Sequence, residues 1–532
     1  MAVPHPPEIG PDGNVDADVV IIGAGIAGLF AAVNLPASLR VVVIDKGQPA
    51  RRSGSSPWAQ GGMAVAVGAD DSPRLHAHDT VEAGDGLCDP LAVRTLTTEA
   101  PGRLAELIAL GARFDRLDPN GPPSVDNLHL AKEGAQTAAR SVHRADATGA
   151  EMVRALRDAA SPRVARLVGT VIGLPVGGVS EACGAWVLTS DRALVGVRAR
   201  AVLLASGGCG GLFAATTNQD HATGDGVALA HLAGAAVRDN AFVQFHPTGL
   251  AVEGAWRFLL TEALRGAGAT LHDDDGHRFM LNRHPDAELA PRHVVASAIL
   301  DQPGGRAWLD ATHLAPHQFV EEFPTVLAGA REHGWDLASQ RVPVTPAAHY
   351  MVGGVRTDLD GRTSLPGLWA AGEVASTGLH GANRMAGNSL AEALVFGARA
   401  ALDISRSLGV GPGPALPPRP GLGSAHMDGD GLAALRAELR QGMWEGAGPV
   451  RTAASLTAVL ARLDALVTRL GDPDDDPVAT ELRLGCHTAR LIAEEGLARR
   501  ETRGGHVRGD HPDTDPHLDG VHFEYSGANP QA

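Results

Sequence analysis

The stretch from Val19 to Gly28, VVIIGAGIAG, constrains this chain more than any other. Four apolar residues in a row, Val19 to Ile22, read as a strand buried on both faces. Gly23, Gly25 and Gly28 then follow as G-x-G-x-x-G, and Leu29 to Leu35 continue as an apolar helix. A second buried strand, Val41 to Ile44, ends on Asp45. Strand, turn, helix and strand in this order predict a parallel sheet. Glycines permit the tight turn and let backbone approach a pyrophosphate. The helix N-terminus adds amide donors and a positive dipole, and Asp45 suits a ribose hydroxyl. The bland alternative is a glycine turn in an ordinary strand–helix unit.

Two distant segments bear on which dinucleotide is meant. Leu203-Leu204-Ala205-Ser206-Gly207-Gly208 resembles the strand-and-glycine signature in the middle of flavoprotein folds. Gly367-Leu368-Trp369-Ala370-Ala371-Gly372-Glu373 resembles their late motif, in which an acidic residue meets the ribityl chain. Both occur in the expected order, so FAD rather than NAD is expected.

The remaining sequence divides by character. With 532 residues, three or four domains are expected. Residues 1–16 read as a loose tail, and 17–238 as the first part of the FAD-binding domain. Residues 239–350, mixed in pattern and rich in His and Arg, read as a capping domain. Residues 351–408 return to the FAD-binding pattern and end in a long small-residue helix. The Pro- and Gly-dense 409–425 reads as a linker. Leu432, Leu435, Leu439 and Met443 repeat at helical spacing, as do Leu456, Val459, Leu463, Leu466 and Leu470. Residues 426–510 therefore predict a three-helix domain, followed by an irregular tail over 511–532. The expected fold is α/β: a Rossmann-type FAD-binding domain interrupted by an α+β capping domain, with a C-terminal helical bundle.

Charge and cysteine counts exclude several functions. With 45 Lys and Arg against 61 Asp and Glu, the net charge is −16. No general basic surface is offered to nucleic acid or to an anionic membrane. Cys88, Cys183, Cys209 and Cys486 are too far apart in sequence for a C-x-x-C pair, so neither a disulfide framework nor a cysteine zinc site is expected. The first 18 residues lack a basic then apolar leader, and a cytoplasmic location is expected. The acidic runs Asp273–Asp275 and Asp474–Asp476 read as solvated loops, and no metal is assigned.

Further motifs carry a closer resemblance. Ser53 to Gly62, SGSSPWAQGG, is similar to the flavin-contact loop of the succinate dehydrogenase / fumarate reductase flavoprotein family. Gln244-Phe245-His246-Pro247-Thr248, Thr261 to Gly266, Ala290-Pro291-Arg292, His349-Tyr350 and His380 to Arg384 resemble the same family. So does Asn388-Ser389-Leu390, and the likeness runs from about residue 17 to 508. It implies FAD contacts at Gly23, Gly25, Ala27, Gly28, Asp45, Lys46, Ser53, Ala59, Gln60, Gly61, Gly62, Asp225, Glu373, Ser389 and Leu390. Where membrane-complex members carry flavin covalently on a histidine, this chain has Ser55, so non-covalent FAD is implied.

Two segments draw the chain toward the members that oxidise L-aspartate: Leu128 to Gly134, whose Glu133 is placed to meet a substrate amino group, and His143 to Gly149. The chain departs from those members at Gln136, where His is common, and at Gly387, where Ser is common. The activity implied is oxidation of L-aspartate to iminoaspartate. Electrons would pass to oxygen or fumarate, and the product would go to quinolinate synthase on the route to NAD. A soluble fumarate reductase or succinate dehydrogenase subunit is the alternative, and a non-enzymatic electron-transfer subunit is a further one.

The chemistry of the residues fits a four-carbon dicarboxylate. Arg384 offers a bidentate fork. His246, His349 and Thr261 offer donors, and Gln244 is expected to orient the substrate. Arg292 is expected to transfer a proton, with Glu262 and Arg265 linking it to solvent; the bland alternative is that it only holds a substrate carboxylate, and both roles can hold together. Glu133 could instead cap a helix, or pair with Lys132 or Arg140 at the surface.

Overall fold

The computed structural model describes residues 7–10, 13–47, 54–178, 180–252, 257–409, 413–423, 427–471 and 475–527. Its centre is a five-stranded, wholly parallel sheet ordered Leu368–Ala370, Ala201–Leu204, Val19–Ile22, Val41–Asp45 and Val164–Val168. Every residue of Val19–Ile22 and Ala201–Leu204 is buried, as strands covered on both faces require. Helices Ile26–Asn34 and Asn388–Ser407 pack together on one side, where Gly397 lets the second helix close on the Ala27 backbone. On the other side lies a sheet of Thr170–Gly173, Gly184–Leu188 and Leu194–Arg198.

That sheet gains a strand from the expected tail. Asn14–Asp16 runs parallel to Leu194–Arg198, and Val15 is buried beneath it. The C-terminal stretch departs from expectation in the same way: Glu524–Tyr525 pairs antiparallel with Val237–Arg238. Pairings of two or three residues bury too few side chains to leave a periodic signal.

The cap has its own core. Strands Val243–Leu250, Val342–Met351, Ala307–Asp310 and Thr270–His272 form an antiparallel sheet in that order. Helices Glu262–Gly266, Arg292–Leu300, Pro316–Glu321 and Pro324–Glu332 surround an apolar cluster that includes Phe258, Leu271, Phe319 and Phe323.

Helices Gly429–Ala447, Ala453–Leu470 and Pro477–Ala498 form the C-terminal bundle, and the expected leucines face inward. The acidic run before the third helix is not simply a solvated loop. Asp476 is buried, caps the helix through the amides of Val478 and Ala479, and pairs with Arg192 at 2.8 Å. Beyond the bundle the chain returns beneath the FAD-binding domain. There Arg503 donates to the Asp85 carbonyl and Gly505 N–H to the Ala382 carbonyl at 2.9 Å. All four cysteines are free, and no described helix is long and apolar enough to cross a membrane.

Candidate active site

One continuous cavity runs from the glycine turn to the cap. Gly23 has φ +113°, and a side chain there would strike the Ala205 carbonyl. Gly25 offers helix Ile26–Asn34 no side-chain cap; the Ile26 N–H donates instead to the Ser56 hydroxyl at 3.3 Å, and all three residues line the cavity. Gly28 serves packing instead: it lies off the cavity, with its Cβ position against the Gly23 carbonyl and Ile21. Asp45 lines the cavity but accepts from Gly47 N–H at 3.0 Å and from Arg166 at 2.8 Å. Lys46 reaches Glu481 at 2.5 Å and Asp225 at 3.1 Å. Burial would lower the Lys46 pKa, but the two carboxylates outweigh it and hold it above the ordinary value. Lys46 and Asp225 thus bind each other as well as lining the cavity, and they tie the nucleotide end to the bundle.

The middle of the cavity is walled by Ser55, Ala59, Gln60, Gly61, Gly62, Ser389 and Leu390; Ser53 lies outside the described residues. Gln60 Oε1 and Ser206 Oγ are buried there without a protein partner. Orphaned polar atoms along a slot of this shape fit the polar edges of a flavin. Glu373 accepts from Met351 N–H at 2.9 Å, and burial pushes its carboxyl up to about 7. Gly387, with φ +82°, lies where a side chain would meet the Ala64 backbone. The chain's departure to glycine there suits a left-handed turn.

At the far end, two domains contribute charged groups to one buried space. Arg292, the first residue of its helix, donates through Nε to Glu262 at 2.7 Å and through Nη1 to Gln244 at 2.8 Å. Burial would raise the Glu262 carboxyl, but Arg292 and Arg265 hold it down at about 2. Arg265 lies 3.9 Å from Glu262 and donates to the Glu288 carbonyl; Glu288 is paired with the partly exposed Arg278 at 2.6 Å. Glu262 thus lies between Arg292 and the fully buried Arg265, whose Nε and Nη2 have no hydrogen-bond partner.

Arg384 is buried, and its Nε and Nη1 have no protein partner. Its guanidinium carbon lies 5.0 Å over the Tyr350 ring, whose hydroxyl donates to the buried Glu392 at 2.9 Å. Burial and Arg292 lower the Arg384 pKa to about 10. A cation held by a ring face, with two N–H groups free, is prepared for a carboxylate.

Both histidines sit where strands lose register. Gln244 pairs with Tyr350 but Phe245 pairs with Ala348, which leaves His349 as the extra residue of a bulge. A second irregularity follows His246, at Pro247. His246 Nδ1 accepts from Thr248 N–H at 3.2 Å, so neutral His246 carries its proton on Nε2. His349 Nδ1 bonds the Thr217 hydroxyl at 2.8 Å. Burial, with Arg292 next, pushes both rings well below the ordinary value, so both are neutral. Thr261 lines the cavity and caps helix Glu262–Gly266.

Glu133 is buried, not paired at the surface. Its Oε1 accepts from Gly62 N–H at 2.7 Å, its own N–H donates to Gln136 at 3.0 Å, and it lines the cavity. Arg140 is fully buried and occupied by Asp71 and Asp79. Burial, then the nearby Glu262 carboxylate, raises the Glu133 pKa. Gln136 donates onward to Ser141 at 3.0 Å, so the departure from histidine keeps a bonded support for Glu133.

One expected role changes. Gln244 does not face the cavity: its oxygen accepts from Arg292 and its nitrogen donates to Asn383 and the Arg384 carbonyl. With both ends of the amide taken, it joins the two arginines rather than the substrate. Tyr350 and Glu392 were not among the expected site residues. Tyr350 follows His349 in sequence, but its contact with Arg384 spans the two domains.

Comparison with known proteins shows what the whole chain is similar to. Residues 18–390 match a family described as an FAD binding domain, and 436–522 match the fumarate reductase flavoprotein C-terminal family. An L-aspartate oxidase of Caulobacter vibrioides is 44% identical over 512 residues, covering 93% of this chain and 94% of that one. One of Streptomyces coelicolor is 44% identical, covering 94% and 90%. Among solved structures, a variant of the E. coli quinol fumarate reductase subunit FrdA superposes with a TM-score of 0.84 at 29% identity, covering 97% of each chain. By sequence the chain belongs to the L-aspartate oxidases, and by sequence and fold alike to the succinate dehydrogenase / fumarate reductase flavoprotein family, with FAD as its cofactor.

Proposed function

We propose that this chain oxidises L-aspartate to iminoaspartate, and that the observation carrying the reading is a buried carboxylate, Glu133, in the same cavity as two buried arginines. A dicarboxylate with an ammonium group needs cations for its ends and an anion between them. Arg384, whose Nε and Nη1 are buried without a protein partner, donates to one carboxylate. Neutral His246 donates through Nε2, His349 offers a ring nitrogen, and Thr261 adds a hydroxyl. Glu133 accepts from the substrate ammonium, an interaction that succinate and fumarate cannot make. FAD, held without a covalent bond because Ser55 stands at the linking position, supplies the two-electron acceptor for the hydrogen leaving the α-carbon. Arg292 orients the reacting carbon and moves protons, its guanidinium held in place by Glu262 and Gln244. Buried walls on both domains exclude water from the reacting atoms.

Oxygen and fumarate are the proposed final acceptors, giving hydrogen peroxide and succinate. Iminoaspartate is the substrate for quinolinate synthase, which places the chain at the first step of de novo NAD synthesis. Four free cysteines suit a reducing cytoplasm. The test is to add L-aspartate anaerobically to the purified yellow protein without partner subunits. Rapid bleaching supports the reading. Bleaching by succinate but not by L-aspartate would replace it with a succinate dehydrogenase, and no bleaching by either with an electron-transfer subunit.

A further inference from the structure

We propose that Asp146 is a latch that holds the cap seated over the active site. It lies in the FAD-binding domain, within the His143 to Gly149 segment. Its carboxylate accepts from Thr325 N–H at 3.0 Å and from Val326 N–H at 2.6 Å. These amides belong to the first turn of helix Pro324–Glu332 in the cap. That helix has no cap of its own: Phe323 stands at the capping position and offers no acceptor. Pro324 has no N–H, and Leu327 N–H is satisfied by the Phe323 carbonyl. The two amides left over are the two that Asp146 takes, so one domain completes a helix of the other.

The arrangement is built rather than incidental. Asp146 is 3% exposed. Ala145 before it adopts φ +41°, unusual for a residue with a side chain. Its N–H donates to Asp115 at 2.5 Å, and Arg144 N–H donates to the Thr148 hydroxyl at 3.2 Å. Gly149 N–H then reaches the carbonyl of Ala59, on the wall of the flavin cavity, at 3.0 Å. The latch is thus anchored to the flavin loop.

The cap carries Thr261, Glu262 and Arg292, whereas Glu133 and Arg384 belong to the FAD-binding domain. Arg292, Glu133 and Arg384 are each 8% exposed, so substrate reaches them when the cap lifts. The chain enters the cap along Val243–Leu250 and leaves along Val342–Met351, which pair with each other. Both covalent connections lie on that one pair, and Asp146 restrains a separate helix. Asp146 is therefore a positioning residue that acts on Arg292 through the seat of the cap. This rests on the proposed reaction in that Arg292 must meet the substrate, but its first readout does not depend on which substrate is used.

The test uses the full-length, flavin-loaded protein with Asp146→Ala and Asp146→Asn. Amide hydrogen exchange is followed in the peptide covering 324–332, together with kcat and KM for L-aspartate oxidation and for dye-driven fumarate reduction. In Asp146→Ala, exchange at 325–326 should quicken at least tenfold and kcat should fall at least tenfold with both substrates. Flavin content and exchange in the parallel sheet should match wild type. Asp146→Asn keeps one acceptor and should lose roughly threefold in kcat, and it carries the test should the alanine variant fail to load flavin. Wild-type kcat in a variant with quickened exchange would overturn the proposal, as would unchanged exchange in both variants.

Discussion

Replacing Glu133 by Gln should separate aspartate from plain dicarboxylates. The substitution keeps volume, and the amide oxygen can still accept from Gly62 N–H. The –NH2 group then turns toward the substrate, where a carboxylate acceptor stood. A hydrogen bond to a charged group is worth about 1.5–3 kcal/mol, so kcat/KM for L-aspartate should fall roughly tenfold to a hundredfold. Fumarate has no ammonium, and the variant removes a negative charge near its carboxylates. Its reduction should be unchanged or faster. Folding stability should move the other way. A carboxyl whose pKa is raised in the native state binds protons more readily there, so its contribution is fully present at low pH and declines as pH rises through the unfolded value of about 4.3 toward the raised one. Above that window the desolvated Glu133 carboxylate is a cost that Gln removes, and Tm there should equal or exceed that of wild type. Steady-state kinetics on both substrates, with thermal melts of the holoenzyme, check all three points. Equal losses on both substrates, or no loss with L-aspartate, would refute the pairing of Glu133 with the amino group.

Acid or heat precipitation should release all flavin into the supernatant; flavin retained on the pellet would refute the reading of Ser55. Arg292→Leu should retain flavin and lose turnover with both substrates, measured as dye-coupled fumarate reduction and peroxide production, because leucine can neither orient the substrate nor move a proton. Stability should fall as pH drops below about 6.5. Burial holds His246, His349 and His506 well below their ordinary pKa and His76 at about 4, so the unfolded chain takes up protons that the native state refuses. Each such group contributes a slope of about 1.4 kcal/mol per pH unit once its unfolded form is protonated, and melts at pH 7 and pH 5 in one buffer system check this.

The parts that were legible in the sequence are those whose physics is local. Val19–Ile22 with its glycines announces a buried strand and a close turn because burial on both faces and positive φ each leave a residue signature. The bundle is legible from leucines at helical spacing. The clustering of Arg292, Arg384, His246, His349 and Glu133 was carried by resemblance; no period in the sequence brings residues from 133 to 384 together. What was not legible depends on partners distant in sequence. Gln244 looks like a ligand for substrate until Arg292 and Asn383 are seen at its two ends. Asp476 looks like one more solvated acid until it is found capping a helix against Arg192. The Tyr350 face beneath Arg384 and the short strand Asn14–Asp16 have the same origin.

The return of residues 503–505 beneath the FAD-binding domain bears on when the site can exist during synthesis. The glycine turn emerges from the ribosome early and can fold with its neighbouring strands. The loop that presents Arg384 is different: the Ala382 carbonyl is bonded by Gly505, and the Asp85 carbonyl beside it by Arg503. Lys46, at the nucleotide end, likewise waits for Glu481. A nascent chain released up to residue 450 would hold every cavity-lining residue yet lack the supports at both ends. Cofactor capture is thereby tied to a finished polypeptide, and fragments that stop short of the bundle should emerge colourless.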